Sequence, residues 1–493
     1  MQSKFNNALT HYKNGQLNKA KDICIEILKI DPDNFDALYL LAVIALQFKN
    51  YLKSAEIISK AIKIKPNHFE AYNIQAIALV HLKQLESAIE SWSQAIKIRP
   101  DYADAYYNCG NAFLELKKID SALENFNKAI KVKPDYFQAY INRGNVLLKL
   151  KEIDSALESY DQAIKINPNY AEAYYNRGKA LKEFHNLEEA INSYDQAIKI
   201  NPNYAEAYNN RGNALIKLKR TKLAAESYEE AIKIKPDLEF LLGSILHAKQ
   251  SMCNWESYEK DLKILTQKII DGHKVSPPFY TLSFTDSLKL QRISAEIWVK
   301  EKFSLSSSLD PIKRRKSVKK IRIGYYSADF HNHVMSYLLV NLFELHDKSA
   351  FEIYGFSFGP EKNDEMHKRI KNTFDKFINI KFESNNEIAR LSRELNIDIA
   401  IDLMSFTQNN RFGIFVEKCA PIQVNYLGYP GTSGSECINY IIADKTLIPK
   451  KNQKDYSEKI IYLPDTYQPN DPTKKISDKI FTKEELSLPK KSF

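Results

Sequence analysis

Residues 199–202 read KINP, and close variants of this phrase recur through the amino-terminal half of the chain. The prolines that end the phrase are Pro32, Pro66, Pro100, Pro134, Pro168, Pro202 and Pro236. Each proline lies 34 residues after the one before it, and a proline ring stops a helix because it cannot continue the hydrogen-bond ladder. A fixed period of this length is typical of a solenoid built from helix pairs. The spacing therefore predicts seven helix–turn–helix units over residues 1–238.

Small and aromatic residues recur at fixed places within each unit. The first helix carries a small residue at Ala8, Ala42, Ala76, Gly110, Gly144, Gly178 and Gly212. The second helix carries Ala20, Ser54, Ala88, Ala122, Ala156, Ala190 and Ala224, and an aromatic residue at Trp92, Phe126, Tyr160, Tyr194 and Tyr228. Antiparallel helices approach closely where small residues lie. In these features residues 1–238 resemble the tetratricopeptide repeat family, which implies an α superhelical solenoid.

A row of asparagines marks the first helices of the later units. It consists of Asn108, Asn142, Asn176 and Asn210, and we call it the asparagine ladder. Solenoids of this kind present a concave binding surface, and an asparagine offers both donors and acceptors to a peptide backbone. We expect the ladder to bind extended polypeptides. The alternative is that these side chains only join neighbouring helices.

Beyond the repeats the sequence changes texture. Residues 239–319 read as a helical connector that ends in FSLSSSLDPIKRRKSVKK. From Lys320, short β-branched and aromatic runs alternate with helical segments, which is typical of βαβ units and a parallel sheet. The predicted strands are 321–326, 351–358, 374–380, 398–404, 422–427 and 440–443, with helices near 334–346, 363–372 and 385–395. The fold class is therefore an α solenoid followed by an α/β Rossmann-like lobe over residues 320–493.

Ligands of such sheets bind beyond the carboxyl ends of the strands, where this chain has SADFHNHVMS (327–336), SFTQNNR (405–411) and GYPGTSG (428–434). The strings IRIGYYSADFHNHVMSYLL, APIQVNYLGYPGTSG and INYIIAD resemble the amino-terminal catalytic lobe of O-linked N-acetylglucosamine transferases, including the SPINDLY-like branch. CNWESYEKDL at 253–262 resembles the segment that joins repeats and catalytic region in that family.

This resemblance implies a GT-B glycosyltransferase that moves N-acetylglucosamine from UDP-GlcNAc to Ser or Thr hydroxyls of polypeptides bound by the repeats, without a cofactor or an essential metal. The family's second lobe, which grips the nucleotide, has no counterpart in this sequence, so we expect the nucleotide sugar to bind only when that lobe is supplied. Two alternatives stay open. One is a protein O-fucosyltransferase of the same fold, and the other is a non-catalytic scaffold that binds proteins through its repeats.

His333 matches the histidine of the family's D-F-x-x-H motif, which implies a catalytic role, either as base or in positioning the substrate. A histidine titrates near neutral pH and can accept a proton there, whereas a capping role for the helix that follows is the structural alternative. Asp329 is expected to orient this loop or a histidine ring, and the predicted sugar-pocket residues are Asp329, Thr407, Gly431, Thr432 and Ser433. Asp329, His331 and His333 alternate like metal ligands, but a clear fourth ligand is missing. Where many relatives carry histidine or tyrosine before Thr407, this chain has Phe406, which cannot transfer protons.

Composition limits the remaining choices. The 493 residues include 71 Lys and Arg against 61 Asp and Glu, a net charge of +10 that gives little reason to expect nucleic-acid binding. The basic run Lys313–Lys320 is expected to be a solvated linker. The five cysteines form no C-x-x-C pair, and neither a signal peptide nor a membrane span is recognisable, so a reducing cytoplasm is expected. A lobe without its partner exposes interdomain surface, which predicts homo-oligomerisation.

Overall fold

A computed structural model describes residues 2–184, 186–303, 309–312, 319–474 and 478–489. Of the basic run, residues 313–318 lie outside the described residues. The chain divides into two compact units, one ending at Ile234 and the other beginning at Lys235. No helix in the described part of the chain is both long and apolar enough to cross a bilayer.

The first unit is a succession of paired helices. They are α1 Gln2–Lys13, α2 Leu17–Ile30, α3 Phe35–Gln47, α4 Tyr51–Ile64, α5 Phe69–His81, α6 Leu85–Ile98, α7 Ala103–Glu115, α8 Ile119–Val132, α9 Phe137–Lys149, α10 Ile153–Ile166, α11 Ala171–Glu183, α12 Leu187–Ile200, α13 Ala205–Lys217 and α14 Thr221–Ile234. Each proline of the repeated phrase follows the second helix of its pair by two residues, as the spacing predicted. The tetratricopeptide solenoid is therefore confirmed.

Close packing within a pair explains the small residues. A Cβ atom added at Gly178 would lie 2.6 Å from the ring of Tyr194, and one at Gly144 would lie 2.6 Å from the ring of Tyr160. Both tyrosines are fully buried. A larger side chain on the first helix would push the second helix away, because protein interiors are packed without spare room.

The second unit begins with four helices, α15 Leu241–Ser251, α16 Tyr258–Ile270, α17 Pro278–Phe284 and α18 Leu288–Lys302. The sheet region then runs β1 Ile321–Ser327, α19 Val334–Glu344, β2 Phe351–Ser357, α20 Glu365–Thr373, β3 Lys376–Asn379, α21 Asn385–Glu394, β4 Ile399–Asp402, α22 Gly413–Val416, β5 Ile422–Tyr426, β6 Tyr440–Ala443 and β7 Lys459–Tyr462. All neighbouring strands pair in parallel, in the order β3-β2-β1-β4-β5-β6-β7.

Helices cover both faces of this sheet. On one face, Leu339 of α19 and Ile370 of α20 pack in a core with Ile323 of β1. On the other face, Ala295 of α18 and Ile388 of α21 pack in a core with Phe356 and other strand residues. This doubly wound α/β arrangement confirms the predicted fold class. The six predicted strands are present, whereas β7 and α22 were not predicted.

Candidate functional site

The candidate site lies where the direction of winding changes. β1 is flanked by β2 on one side and by β4 on the other, so the chain leaves β1 and β4 toward opposite sides of the sheet. Three loops follow strands on this edge: the first loop, 328–333 after β1, the second loop, 403–411 after β4, and the third loop, 427–434 after β5. Such a switch point opens a crevice in which ligands of doubly wound folds bind. The site residues that the sequence predicted in this lobe all lie on these three loops.

The first loop is held by side chains from two helices. Ser336 of α19 donates a hydrogen bond to the carbonyl of Asp329. His367 of α20 donates from Nδ1 to the carbonyl of Phe330 at 2.8 Å. Asp364, the N-cap of α20, accepts from the backbone N–H of Asn332 at 2.9 Å. The loop is therefore a fixed platform for its two histidines.

His333 is the N-cap of α19. Its Nδ1 atom accepts from the backbone N–H of Met335 at 3.3 Å, so the structural alternative that the sequence left open is realised. The same Nδ1 lies 3.5 Å from Oδ2 of Asp329, and the imidazole side chain remains 41% exposed. The ring can thus exchange its cap bond for a bond with a carboxylate, and it remains accessible from outside the loop.

Burial sets the protonation of the groups around this ring. It raises the pKa of Asp329 above its ordinary value, while the charges of His333 and His331 act in the opposite direction. Burial also lowers the pKa of His331, whose ring centroid lies 5.8 Å from that of His333. A neutral His331 beside Asp329 leaves His333 as the more exposed proton acceptor of the loop. Across the described ranges, no three or more His, Cys, Asp or Glu side chains are grouped so that they could hold a metal ion.

The strand that precedes the second loop contributes a buried carboxylate that the sequence reasoning missed. Asp402, at the end of β4, is 2% exposed, and its Oδ1 accepts from the backbone N–H groups of Met404 and Ser405, each at 2.9 Å. Its Oδ2 has no partner among the described residues. Burial raises the pKa of Asp402 to about 6. A charged residue at the carboxyl end of an apolar strand was the available signal.

The other second-loop residues are used locally. Thr407 donates from Oγ1 to the carbonyl of Met404 at 2.9 Å. Phe406 is buried against the rings of Phe412 and Tyr429, at centroid distances of 4.9 and 5.2 Å. Phe406 thus supports the loop through packing, and contact of Thr407 with a sugar stays a prediction.

The third loop is organised by Glu458, a second residue that the sequence reasoning missed. Glu458 is 4% exposed; its Oε2 accepts from Oγ1 of Thr432 at 2.7 Å, and its Oε1 accepts from the N–H of Ser433 at 2.6 Å. Thr432 and Ser433 are themselves buried, as is Gly431, whose carbonyl accepts from Asn425 at 3.4 Å. Thr432 and Ser433 therefore form the frame of the loop, and a role of these three residues in binding sugar stays a prediction.

Two glycines bring neighbouring loops together. A Cβ atom at Gly428 would overlap the carbonyl oxygen of Leu403, which joins the second and third loops. A Cβ atom at Gly359 would overlap the carbonyl oxygen of Ala328 in the first loop. Only glycine permits such close backbone approach, so these positions hold the edge of the site.

The asparagine ladder lies in the first unit, on α7, α9, α11 and α13. Asn142 donates from Nδ2 to Tyr107 Oη at 3.2 Å and to Asn111 Oδ1 at 2.8 Å. Asn210 donates from Nδ2 to Tyr175 Oη at 2.9 Å. These two residues thus join consecutive first helices, while peptide binding by the ladder stays a prediction.

Comparison with known families agrees with this architecture. Residues 285–484 match Glycosyl transferase family 41. Tetratricopeptide descriptions match residues 11–77, 76–117, 110–151, 144–183, 186–219 and 205–238. The family 41 match includes all three loops of the candidate site.

Named relatives are similar over part of their length. The chain is 30% identical over 249 residues to a probable UDP-N-acetylglucosamine–peptide N-acetylglucosaminyltransferase, SEC, of Arabidopsis thaliana, covering 48% of this chain and 26% of the relative. It is 29% identical over 233 residues to the Caenorhabditis elegans UDP-N-acetylglucosamine–peptide N-acetylglucosaminyltransferase, covering 44% and 20%. The chain therefore spans about a quarter or less of these relatives. A solved structure of a Thermobaculum terrenum O-GlcNAc transferase mutant is similar at 21% identity and a TM-score of 0.44, covering 68% of this chain and 59% of that one.

Proposed function

We propose that this chain, which joins a tetratricopeptide solenoid to a glycosyl transferase family 41 domain, acts in protein O-glycosylation. It would transfer N-acetylglucosamine from UDP-GlcNAc to Ser or Thr hydroxyls of polypeptides bound by its repeats. The observation that carries the proposal is the place of His333 and Asp329. They lie 3.5 Å apart at the switch point of a sheet that belongs to a family 41 domain.

The chemistry assigned to this lobe is acceptor activation. Attack of a hydroxyl on an anomeric carbon needs a group that accepts or orients the hydroxyl proton. His333 supplies an exposed imidazole, and Asp329 supplies the acceptor that holds a proton on Nδ1 and leaves Nε2 free. Positioning of the sugar is assigned to Asp329, Thr407, Gly431, Thr432 and Ser433, through hydroxyl and backbone groups of the three loops. The departing nucleotide is assigned to a second lobe, which the family resemblance implies.

We assign binding of the polypeptide to the solenoid. Its ladder amides provide donors and acceptors at repeated spacing, which suits an extended backbone of any sequence. A reducing cytoplasm is the proposed compartment, since all five cysteines are free. Homo-oligomerisation is proposed as well.

Transfer of labelled sugar to a peptide mixture tests the proposal. The chain is joined at its carboxyl end to the nucleotide-binding lobe of a family 41 relative and is given UDP-GlcNAc or GDP-fucose. Transfer from UDP-GlcNAc is expected. Transfer from GDP-fucose alone would favour the fucosyltransferase alternative, and peptide binding without any transfer would favour the scaffold.

Two variants of one residue separate capping from catalysis in that assay. His333→Asn keeps a side-chain acceptor at a good N-cap position, whereas His333→Ala removes both the cap and the imidazole. Both variants are expected to lower transfer by about 100-fold or more, while His333→Asn retains the thermal stability of the parent. Near-parent transfer by His333→Asn would assign His333 to capping alone.

A further inference from the structure

The fifth and seventh repeats each contain a hydrogen bond that joins the first helix of the repeat to its second helix. In the fifth repeat (137–170), Tyr160 Oη donates to Asn145 Oδ1 at 2.8 Å. In the seventh repeat (205–238), Tyr228 Oη donates to Asn213 Oδ1 at 2.9 Å. The asparagine stands on the first helix, and the tyrosine stands on the second. Each buried hydroxyl is therefore satisfied inside its own repeat.

The sixth repeat (171–204) lacks this bond. Lys179 stands where Asn145 and Asn213 stand in the flanking repeats, and a lysine has no acceptor to offer. Tyr194, the counterpart of the two tyrosines, is 0% exposed, and its hydroxyl has no hydrogen-bond partner among the described residues. Buried polar groups are nearly always satisfied in folded proteins, so this orphaned hydroxyl distinguishes the sixth repeat from the two that flank it.

A second lysine enters the same repeat. Lys182 stands where the flanking repeats carry Leu148 and Ile216. Its Nζ donates to Oδ1 of Asn210 at 3.1 Å, and Asn210 in turn donates to Tyr175 Oη at 2.9 Å. In the sixth repeat a partly buried ammonium group thus takes the place of the apolar side chain that both flanking repeats carry.

Lys179 and Lys182 lie close to one tyrosine and to a third lysine. Nζ of Lys179 is 5.6 Å from the ring centroid of Tyr175. Burial, Lys217 and Lys179 all lower the pKa of Lys182, and only Glu183 opposes them. Glu183 is engaged by Lys151 at 3.4 Å. Lys179, Lys182 and Lys217 are called the lysine cluster below.

The lysine cluster forms no direct ion pair in the part of the chain that the structure describes. Within the described ranges of the chain, no carboxylate oxygen lies within 4.0 Å of the ammonium groups of these three lysines. By contrast, Arg177 and Arg211 nearby are each paired with an aspartate, at 2.7 and 2.6 Å. Like charges held together without a counter-ion destabilise a fold, and an anion would remove that cost.

The cluster lies beside the asparagine ladder. Tyr175, Lys179 and Lys182 are spaced i, i+4 and i+7 on α11, so they form one stripe of that helix. Lys179 follows Asn176 by three residues, and Lys182 bonds directly to Asn210, a ladder member. We propose that the lysine cluster is an anion subsite of the solenoid, which binds a carboxylate side chain of an acidic polypeptide lying along the ladder.

The ligand is argued to be a polypeptide because lysines at the positions of Lys179 and Lys182 occur in the sixth repeat alone. The flanking repeats carry Asn at the position of Lys179 and Leu or Ile at that of Lys182. The position of Lys217 on α13 carries Glu183 in the sixth repeat and Lys149 in the fifth. Nucleic acid is bound along a continuous basic stripe, whereas one acidic side chain needs only a local cluster. The inference rests on the proposed binding of polypeptides by the repeats, and it adds a preference for acidic residues.

Equilibrium binding tests the proposal without any transfer reaction. The probes are a fluorescent extended peptide rich in glutamate and its counterpart with glutamine in place of each glutamate, measured by anisotropy on the 493-residue chain. The glutamate peptide is expected to bind about tenfold more tightly, and added salt should reduce this difference. Equal affinity for the two peptides would overturn the anion subsite, and the absence of binding by either would overturn groove binding as well. Tighter binding of a thymidine oligonucleotide would replace the acidic polypeptide with nucleic acid.

The decisive variant restores the residues of the fifth repeat. Lys179→Asn with Lys182→Leu is expected to abolish the tenfold preference while raising the unfolding temperature, since Tyr194 regains its acceptor. The matched control is Lys165→Asn with Lys199→Leu, which removes the same charge from exposed positions on second helices and should keep the preference. Tyr194→Phe keeps the fold and reports whether the orphaned hydroxyl contributes. A preference that persists in the first variant contradicts the proposal.

Discussion

Relative to the parent, the Asp402→Asn variant should gain more stability in the second unit at pH 8 than at pH 5. Asp402 is buried at the end of β4, and burial raises its pKa from 3.8 to about 6. The folded state therefore binds the proton more tightly than the unfolded chain does. The stability that this tighter proton binding contributes is complete at pH values below the pKa of Asp402 in the unfolded chain. It is lost as the pH rises through the pKa of Asp402 in the folded state.

The structure explains why the proton is favoured. Oδ2 of Asp402 has no partner among the described residues, and neither has Oδ1 of Asn425. The two residues are paired in register on β4 and β5, so their side chains leave the same face of the sheet. Two acceptors face one region without a donor, and either a proton on Asp402 or the amide of the Asp402→Asn variant supplies one.

The magnitude follows from the interval between pH 5 and the folded pKa. The parent loses about 1.4 kcal/mol on going from pH 5 to pH 8, because one pKa unit corresponds to 1.36 kcal/mol. An asparagine does not titrate, so the variant gains that amount at pH 8. For a unit of this size, this gain should raise the unfolding temperature of the variant at pH 8 by about 3–5 °C. Differential scanning calorimetry of the full chain measures it.

Asp444→Asn is the matched control. Asp444 directly follows β6, and it accepts hydrogen bonds from the backbone N–H groups of Leu447, Tyr467 and Thr446, which lower its pKa. Its carboxylate is ionised in both states at pH 5 and pH 8, so Asp444→Asn should lower the unfolding temperature by the same amount at both. An equal effect of Asp402→Asn at the two pH values would refute the reasoning about burial.

The remaining predictions concern the third loop and the ladder. Glu458→Gln places an amide where three donors, from Thr432, Ser433 and Ser457, now converge. We therefore expect faster hydrogen exchange across residues 428–434 and a loss of about 1–3 kcal/mol; unchanged exchange would show that these bonds do not hold the loop. Replacing Asn108, Asn142, Asn176 and Asn210 together by alanine should weaken peptide binding about tenfold or more. The pair Asn142→Ala and Asn210→Ala alone should mainly destabilise the solenoid, because it removes the bonds to Tyr107 and Tyr175. Unchanged peptide affinity in the fourfold variant would contradict the ladder's role.

The repeats were predictable because their constraints are local. Each proline, small residue and aromatic residue acts within one helix pair, and seven copies reinforce the same pattern. The strands of the sheet were predictable for a similar reason, since their buried faces require apolar runs. β7, Lys459–Tyr462, escaped because it is a four-residue edge strand with alternating exposure.

The frame of the site was harder to predict because it depends on contacts between distant residues. Glu458 binds Thr432 and Ser433, which precede it by 26 and 25 residues. No periodicity links such partners, and the hydroxyls of GYPGTSG therefore read as free ligands in the sequence. His367 bonds to the carbonyl of Phe330 across 37 residues in the same way. Motifs identify the loops, whereas the residues that hold them are known only from the fold.

Capping by His333 and its proposed role in catalysis impose opposite requirements on one ring nitrogen. While Nδ1 accepts from Met335, the proton of the neutral ring resides on Nε2, and Nε2 cannot act as a base. When the proton moves to Nδ1, the carboxylate of Asp329 at 3.5 Å becomes its partner and Nε2 is free to accept from a substrate hydroxyl. The imidazolium that then forms stands at the N-terminus of α19, where the helix dipole disfavours positive charge. Asp329 offsets that charge, so removing its carboxylate should impair proton acceptance more than it impairs the fold of the loop.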